Sequence, residues 1–369
     1  MKDSEKISEK TRPAARMFAA GVTALAATGI WALPASPAAA ATAHTSGDCV
    51  SLRIPVALAP DLAPAEQIAG TLCVPVGRVA TTVDVLVHGA GYDQTYWNWP
   101  VDPGTYSYVD KTLAAGRATF AYDRLGAGES SHPLSTLITT DADAYVLHQL
   151  IGDLRDVGFA GLDVVGHSFG SIIAVDEAAA YHDVDRLVIT GLLHPEVAPP
   201  YVPTSIFYPA DQDPQFAGRG LDPGYLTTIP GTRGPAFYSA SADPAVVAYD
   251  EAHKDTVSGS ELAVGLAASQ APPATNAAGG VTAPVLVVDG DQDSLFCGFT
   301  VDCTNSAGVL ATEEAYYRAA PSVDVVLIPW TGHSLALHPT AAQSFSVIDH
   351  WLGSGAGSGT GSDSATGAR

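Results

Sequence analysis

The sequence is short of positive charge. Its 369 residues carry 17 Lys and Arg against 39 Asp and Glu, a formal net charge of −22. Phosphate backbones and anionic lipid heads are held by clustered cations, so this balance excludes nucleic acid as a partner. Cysteine is scarce as well: the 4 present form no paired C-x-x-C and have no histidine at ligand spacing, which argues against zinc. Neither "GAGYDQ" nor "DRLGAGESS" completes a G-x-G-x-x-G, so a dinucleotide fold lacks its phosphate loop. Beyond the N-terminal region no stretch is apolar for long enough to cross a membrane, and there are no internal repeats. With 47% apolar and only 15% charged residues, the chain is globular rather than disordered.

What is present begins with residues 1–43. Lys2, Lys6, Lys10, Arg12 and Arg16 precede "MFAAGVTALAATGIWAL", and small residues follow in "PASPAAAATA". This reads as an export signal removed after Ala40 or Ala43; the alternative is a retained anchor, for which the apolar stretch is at the short end. Export implies a secreted chain with no stable membrane anchor and permits disulfides. Four cysteines allow three pairings. Cys49 opens the strand-like "CVSLRIPV" and Cys73 closes "IAGTLCV", so antiparallel pairing brings them together, leaving Cys297 and Cys303 to close a short loop.

Buried-strand patterns at 83–87, "ATFAY", "LDVVG", "VDRLVITGLL", "APVLVVDGDQD" and "VDVVLIPWTGH" alternate with helical ones. "YVDKTLAAGR" reads as a helix stopped by Gly116. Residues 141–155 follow Thr140 as N-cap and put Leu147, Leu150, Ile151 and Leu154 on one face. The helix from Ala341 to Leu352 does likewise with Phe345, Ile348 and Leu352. Such alternation predicts an α/β fold whose mostly parallel, twisted sheet is covered on both sides and carries its site at the carboxyl ends of the strands. Residues 44–194 and 281–352 form this core. Residues 195–280, rich in Pro, Gly, Ala and Tyr, break the pattern and read as an inserted cap; 353–369 are a Gly/Ser tail.

"VVGHSFGS", residues 164–171, places Ser168 between Gly166 and Gly170, directly after one apolar strand and before the alanine-rich "SIIAVDEAAAYH". A G-x-S-x-G match alone arises by chance about 0.3 times in a chain of this composition, so the context decides. A serine needs a sharp turn to expose it and a base to take its proton. This strand, turn and helix resembles the nucleophile elbow of the α/β-hydrolase superfamily, a resemblance spanning roughly 49–352.

The resemblance implies a base after the last strand, where "VVLIPWTGHS" offers His333, with Gly332 letting the chain turn. His338 lies on a less constrained stretch, His350 on the exposed side of a helix, and His167 packs beside the serine. The family's G-x-x-D spacing selects Asp293 as the acid after Gly290, with Asp291 open if the turn is tighter and Glu196 a more distant candidate. "HGAG" at 88–91 resembles the oxyanion loop, which makes Ala90 and Phe169 the two amide donors; read blandly it is a strand-ending turn. "DRLGAGESS" from Asp123 resembles a structural loop beside the site. Tyr92, Tyr96, Trp97 and Trp99 either line an acyl pocket or simply pack.

The function this implies is a secreted serine esterase or lipase acting through an acyl-enzyme on a small ester, lactone or thioester, without metal or organic cofactor. Amidase, peptidase or acyltransferase chemistry with the same triad is the alternative, peptidase being disfavoured because prolyl-type aminopeptidases tend to have Gly where His167 stands. A non-catalytic binding protein is the rival of another class. The sequence is silent on oligomeric state.

Overall fold

The computed structural model describes residues 47–195, 206–298 and 301–354. The expected export segment, Glu196 and residues 355–369 lie outside these.

Eight strands form one sheet in the order β1 (Gly47–Val56), β2 (Glu66–Pro75), β4 (Ala118–Tyr122), β3 (Thr82–Val87), β5 (Gly161–His167), β6 (Arg186–Thr190), β10 (Val285–Gly290) and β11 (Val323–Ile328). Only β2 runs against its neighbours; every pair from β4 to β11 is parallel. Strands covered on both faces need no polar alternation, which is why β4 and β10 are buried at every position and are mostly apolar along their length. At the edge, β1 and β2 pair antiparallel with Cys49 opposite Cys73, and a disulfide joins the two. A second disulfide, Cys297–Cys303, closes the loop after β10.

Helices cover the faces. α1 (Tyr108–Ala115) ends at Gly116, whose φ of 92° supplies the left-handed stop. In α2 (Thr140–Asp156) the stripe of Leu147, Leu150, Ile151 and Leu154 is buried, but the cap is Thr139, whose hydroxyl accepts from the Ala142 amide; Thr140 is already helical. α3 (Phe169–Tyr181) follows β5, and α4 (Ala341–Gly353) closes the chain with Phe345, Ile348 and Leu352 inward.

The described part of the segment between β6 and β10, from residue 206 on, is more ordered than its composition suggests. β7 (Phe207–Pro209), β8 (Tyr225–Thr228) and β9 (Val257–Ser258) make a small antiparallel sheet, accompanied by helices Arg233–Phe237, Pro244–Ala252 and Gly259–Ser269. The last of these starts with a capping box between Ser258 and Glu261, an S-x-x-E written plainly in the sequence.

Candidate active site

Ser168 sits between β5 and α3 with φ 53° and ψ −121°, a left-handed conformation rare for a residue with a side chain. Its amide donates to the Thr190 carbonyl at 2.7 Å, pinning the turn to β6. Gly170 is required by contact: a Cβ there would run into the Val87 and His88 carbonyls at the end of β3.

His333 lies on the loop after β11. Its Nε2 accepts from the Ser168 hydroxyl at 2.8 Å, and its Nδ1–H donates to Asp293 Oδ2 at 2.7 Å. Histidine and aspartate are both buried, and the other Asp293 oxygen accepts from the Leu295 amide at 2.8 Å. Of the three aspartates at the end of β10 and in the turn after it, Asp289, Asp291 and Asp293, the last is the one that reaches the imidazole. Asp289, equally buried, has its pKa raised well above the carboxylate range by burial, with the charge of Asp293 adding to the effect. The expected role of Gly332 as a turning residue changes: the left-handed residue of this loop is Trp330, at φ 59°, while a side chain on Gly332 would lie 2.6 Å from the Ser239 amide. Glycine is there for close approach of the inserted segment.

Ala90 and Phe169 line one cavity with Ser168 and His333. Phe169 opens α3, so its amide is one of the four at a helix start without an intrahelical acceptor. His88 shapes the 88–91 loop: its Nδ1–H donates to the Gly89 carbonyl and its Nε2 accepts from the Arg124 amide, both at 2.9 Å. Burial, reinforced by the Arg124 charge, lowers its pKa to about 3, so it stays neutral. Arg124 is itself paired with Asp143 and Glu261 at 2.7 and 3.0 Å. Of the four aromatics, Tyr92 lines the cavity; Tyr96 stacks on His167 with centroids 4.3 Å apart, and Trp97 and Trp99 pack edgewise on Tyr108 and Tyr249. His167 is fully buried, as packing requires.

Two groups of residues unforeseen in the sequence hold the loops together. Arg233 in the insertion donates twice to Asp250, at 2.9 and 2.7 Å, and once to the Gly91 carbonyl at 3.1 Å, its guanidinium lying 4.2 Å over the Tyr92 ring. Tyr92 in turn shares a 2.7 Å hydrogen bond with Ser334, next to His333. His338 is buried and far from unconstrained: its Nε2 accepts from the Gly332 and Ser239 amides at 3.0 and 3.1 Å, and its Nδ1–H donates to the Ser334 carbonyl. No local pattern in the sequence marks these residues.

The cavity above Ser168 is narrow, about 30 Å³, and walled by Ile206, Phe207, Phe237, Leu262, Leu266 and Leu295. A cavity of about 500 Å³ lies elsewhere, lined by Asp93, Asp123 and Asp255 and by none of the Ser168, His333 or Asp293 side chains. The serine, imidazole and carboxylate thus converge at the smaller cavity, not at the larger one.

The fold has many relatives. A monoacylglycerol lipase from Paleococcus ferrophilus is similar at 15% identity, covering 78% of this chain and 98% of its own, with a TM-score of 0.52. A thermophilic esterase from Thermogutta terrifontis reaches 19% identity over 82% and 98%, with a TM-score of 0.53. An enol-lactonase from Burkholderia xenovorans LB400 has 18% identity over 78% and 97%, also at 0.53. No curated protein matches the chain by sequence. The sequence pattern of the alpha/beta hydrolase family matches residues 85–342, from the middle of β3 into α4. With that match over most of its length, and with this sheet beneath it, the chain belongs to the alpha/beta hydrolase family.

Proposed function

We propose that the protein is an exported serine hydrolase that cleaves carboxylic esters or related acyl bonds. One observation carries this reading: Ser168 Oγ, His333 Nε2, His333 Nδ1 and Asp293 Oδ2 stand in hydrogen-bonding file, at 2.8 and 2.7 Å. In the proposed reaction Ser168 attacks the acyl carbon while His333 takes its proton. The amides of Ala90 and Phe169 receive the negative charge on the oxygen, a stabilisation worth on the order of 10²- to 10³-fold per donor. His333 then protonates the departing alkoxide. Water, deprotonated by the same imidazole, releases the acid and restores Ser168.

Residues 195–280 serve in this reading as a cap whose apolar side chains favour an uncharged acyl group, since a charged one would be desolvated among Phe207, Phe237 and Leu266 without a partner. Export by residues 1–43 accords with the two disulfides and with the lack of a membrane-crossing helix among the described residues. Incubation of the folded protein with a fluorophosphonate, followed by mass mapping, tests the nucleophile: adduct on Ser168 alone is expected. Absence of adduct from folded protein, together with no turnover of p-nitrophenyl esters of graded length, overturns the proposal.

A further inference from the structure

We propose that His148, Glu177 and Asp183 form a site for a divalent transition-metal ion, separate from the Ser168 centre. One donor atom from each lies within 4.8 Å of the others. His148 Nδ1 is 2.7 Å from Asp183 Oδ2 and 3.8 Å from Glu177 Oε1. A metal with bonds of about 2.0–2.2 Å holds its ligand atoms roughly 3–3.5 Å apart, so side-chain adjustments of about 1–2 Å complete the geometry.

The second observation concerns Glu177. Its side chain is fully buried, yet neither carboxylate oxygen receives a hydrogen bond, and Asp183 Oδ1 is likewise buried without a donor. Buried carboxylates are normally paired, hydrogen-bonded or bound to metal. Here the partly exposed His148 imidazole meets two carboxyl groups that face each other, while the nearby Arg155 guanidinium is engaged by the Asp183 carbonyl at 2.6 Å and the Asp185 carboxylate at 3.1 Å.

The surroundings favour a cation. Glu177 is in the last turns of α3, where the carbonyl end of the helix dipole points. His182 follows in a left-handed conformation, φ 54°, and turns the chain so that Asp183 returns beside Glu177. The His148 ring is held against Tyr181 with centroids 4.0 Å apart and planes 12° from parallel. His148 and Asp183 are 29% and 23% exposed, which leaves an entry path and room for water ligands. One imidazole with two carboxylates suits zinc or manganese; calcium and magnesium prefer oxygen throughout. A net charge of −22 raises the local cation concentration. Glu177 lies nine residues along the helix from Ser168, about 13 Å of rise, so the ion clamps α2 to α3 and takes no part in the acyl chemistry.

The test uses the full chain, stripped with EDTA and titrated with Zn²⁺ by calorimetry. One ion per chain is expected, with the melting temperature rising by several degrees at saturation. His148→Ala and Glu177→Gln lower the affinity at least tenfold, while Ser168→Ala binds as the parent does, which separates this site from the hydrolase reading. Should a variant fail to fold, Co²⁺ loading of the parent gives a visible spectrum of a histidine-bound site that Zn²⁺ displaces. No uptake by the stripped parent, or equal uptake by parent and both variants, overturns the proposal and leaves a shared proton between Glu177 and Asp183.

Discussion

The two ends of the parallel sheet both bury carboxylates, but they give them different partners. At the amino ends, Asp84 of β3 faces Arg117 at 3.1 Å, and Asp163 of β5 takes a two-pronged bond from Arg186 at 2.8 and 2.6 Å. At the carboxyl ends, Asp293 faces His333 at 2.7 Å. The distances are alike and all three carboxylates are inaccessible to water. Guanidinium never releases its proton near neutrality, so the first two pairs are fixed struts between strands. Imidazole can take a proton and return it. What sets the third pair apart is therefore an imidazole in place of a guanidinium, together with what lies on its other side: His333 has a serine there, at 2.8 Å, as the proposed acyl chemistry requires.

The strongest way to break this contrast is Ser168→Ala. Loss of ester hydrolysis by at least about 10⁴-fold in kcat, with the melting temperature preserved, is expected. Retained turnover on every substrate would put the chemistry elsewhere. Next comes Asp293→Asn, which keeps the shape and removes the charge that holds His333 in its working tautomer; kcat falls by on the order of 10³- to 10⁴-fold, with KM little changed.

The same change at the other end, Asp163→Asn, sharpens the comparison by reversing the readout. Arg186 loses its counter-charge while remaining largely buried, at 17% side-chain exposure. The cost is about 2–3 kcal/mol, seen in a chain of this size as a melting temperature lower by roughly 3–5 °C, with kcat within twofold of the parent. A large loss of kcat in the folded variant would mean that the amino ends are not mere struts.

The smallest effect belongs to Asp289→Asn. Asn mimics the neutral acid that the raised pKa of Asp289 favours, so activity and stability near pH 5 are expected to change little. The sign of the pH dependence follows from the raised native pKa of Asp289. Its contribution to stability is complete below the unfolded carboxyl pKa and declines as pH climbs toward the native value. The variant has no such loss. Its melting temperature relative to the parent therefore increases from pH 5 to pH 8; a gap that stays constant or narrows contradicts a protonated Asp289.

How far the sequence reaches follows the same geography. Ser168 and His333 stand where an apolar strand gives way to a turn, and runs such as "VDVVL" and "VLVV" leave little choice of element. Asp293 needed the spacing from Gly290. Thr139 and Thr140 are equivalent as caps until backbone angles choose between them. The insertion resisted reading because β7, β8 and β9 have only three, four and two residues, too few for a period to show. Arg233 reaches Gly91 across 142 positions, and His338 meets the Ser239 amide across 99, so their roles exist only once the chain is folded.

The turn at Ser168 has a practical side. A side chain held at φ 53° and ψ −121° costs on the order of 1–3 kcal/mol, and glycine would relieve most of it. A directed-evolution campaign scored on heat resistance alone will thus tend to enrich Ser168→Gly, a hardier and inert protein, and turnover must be screened alongside survival.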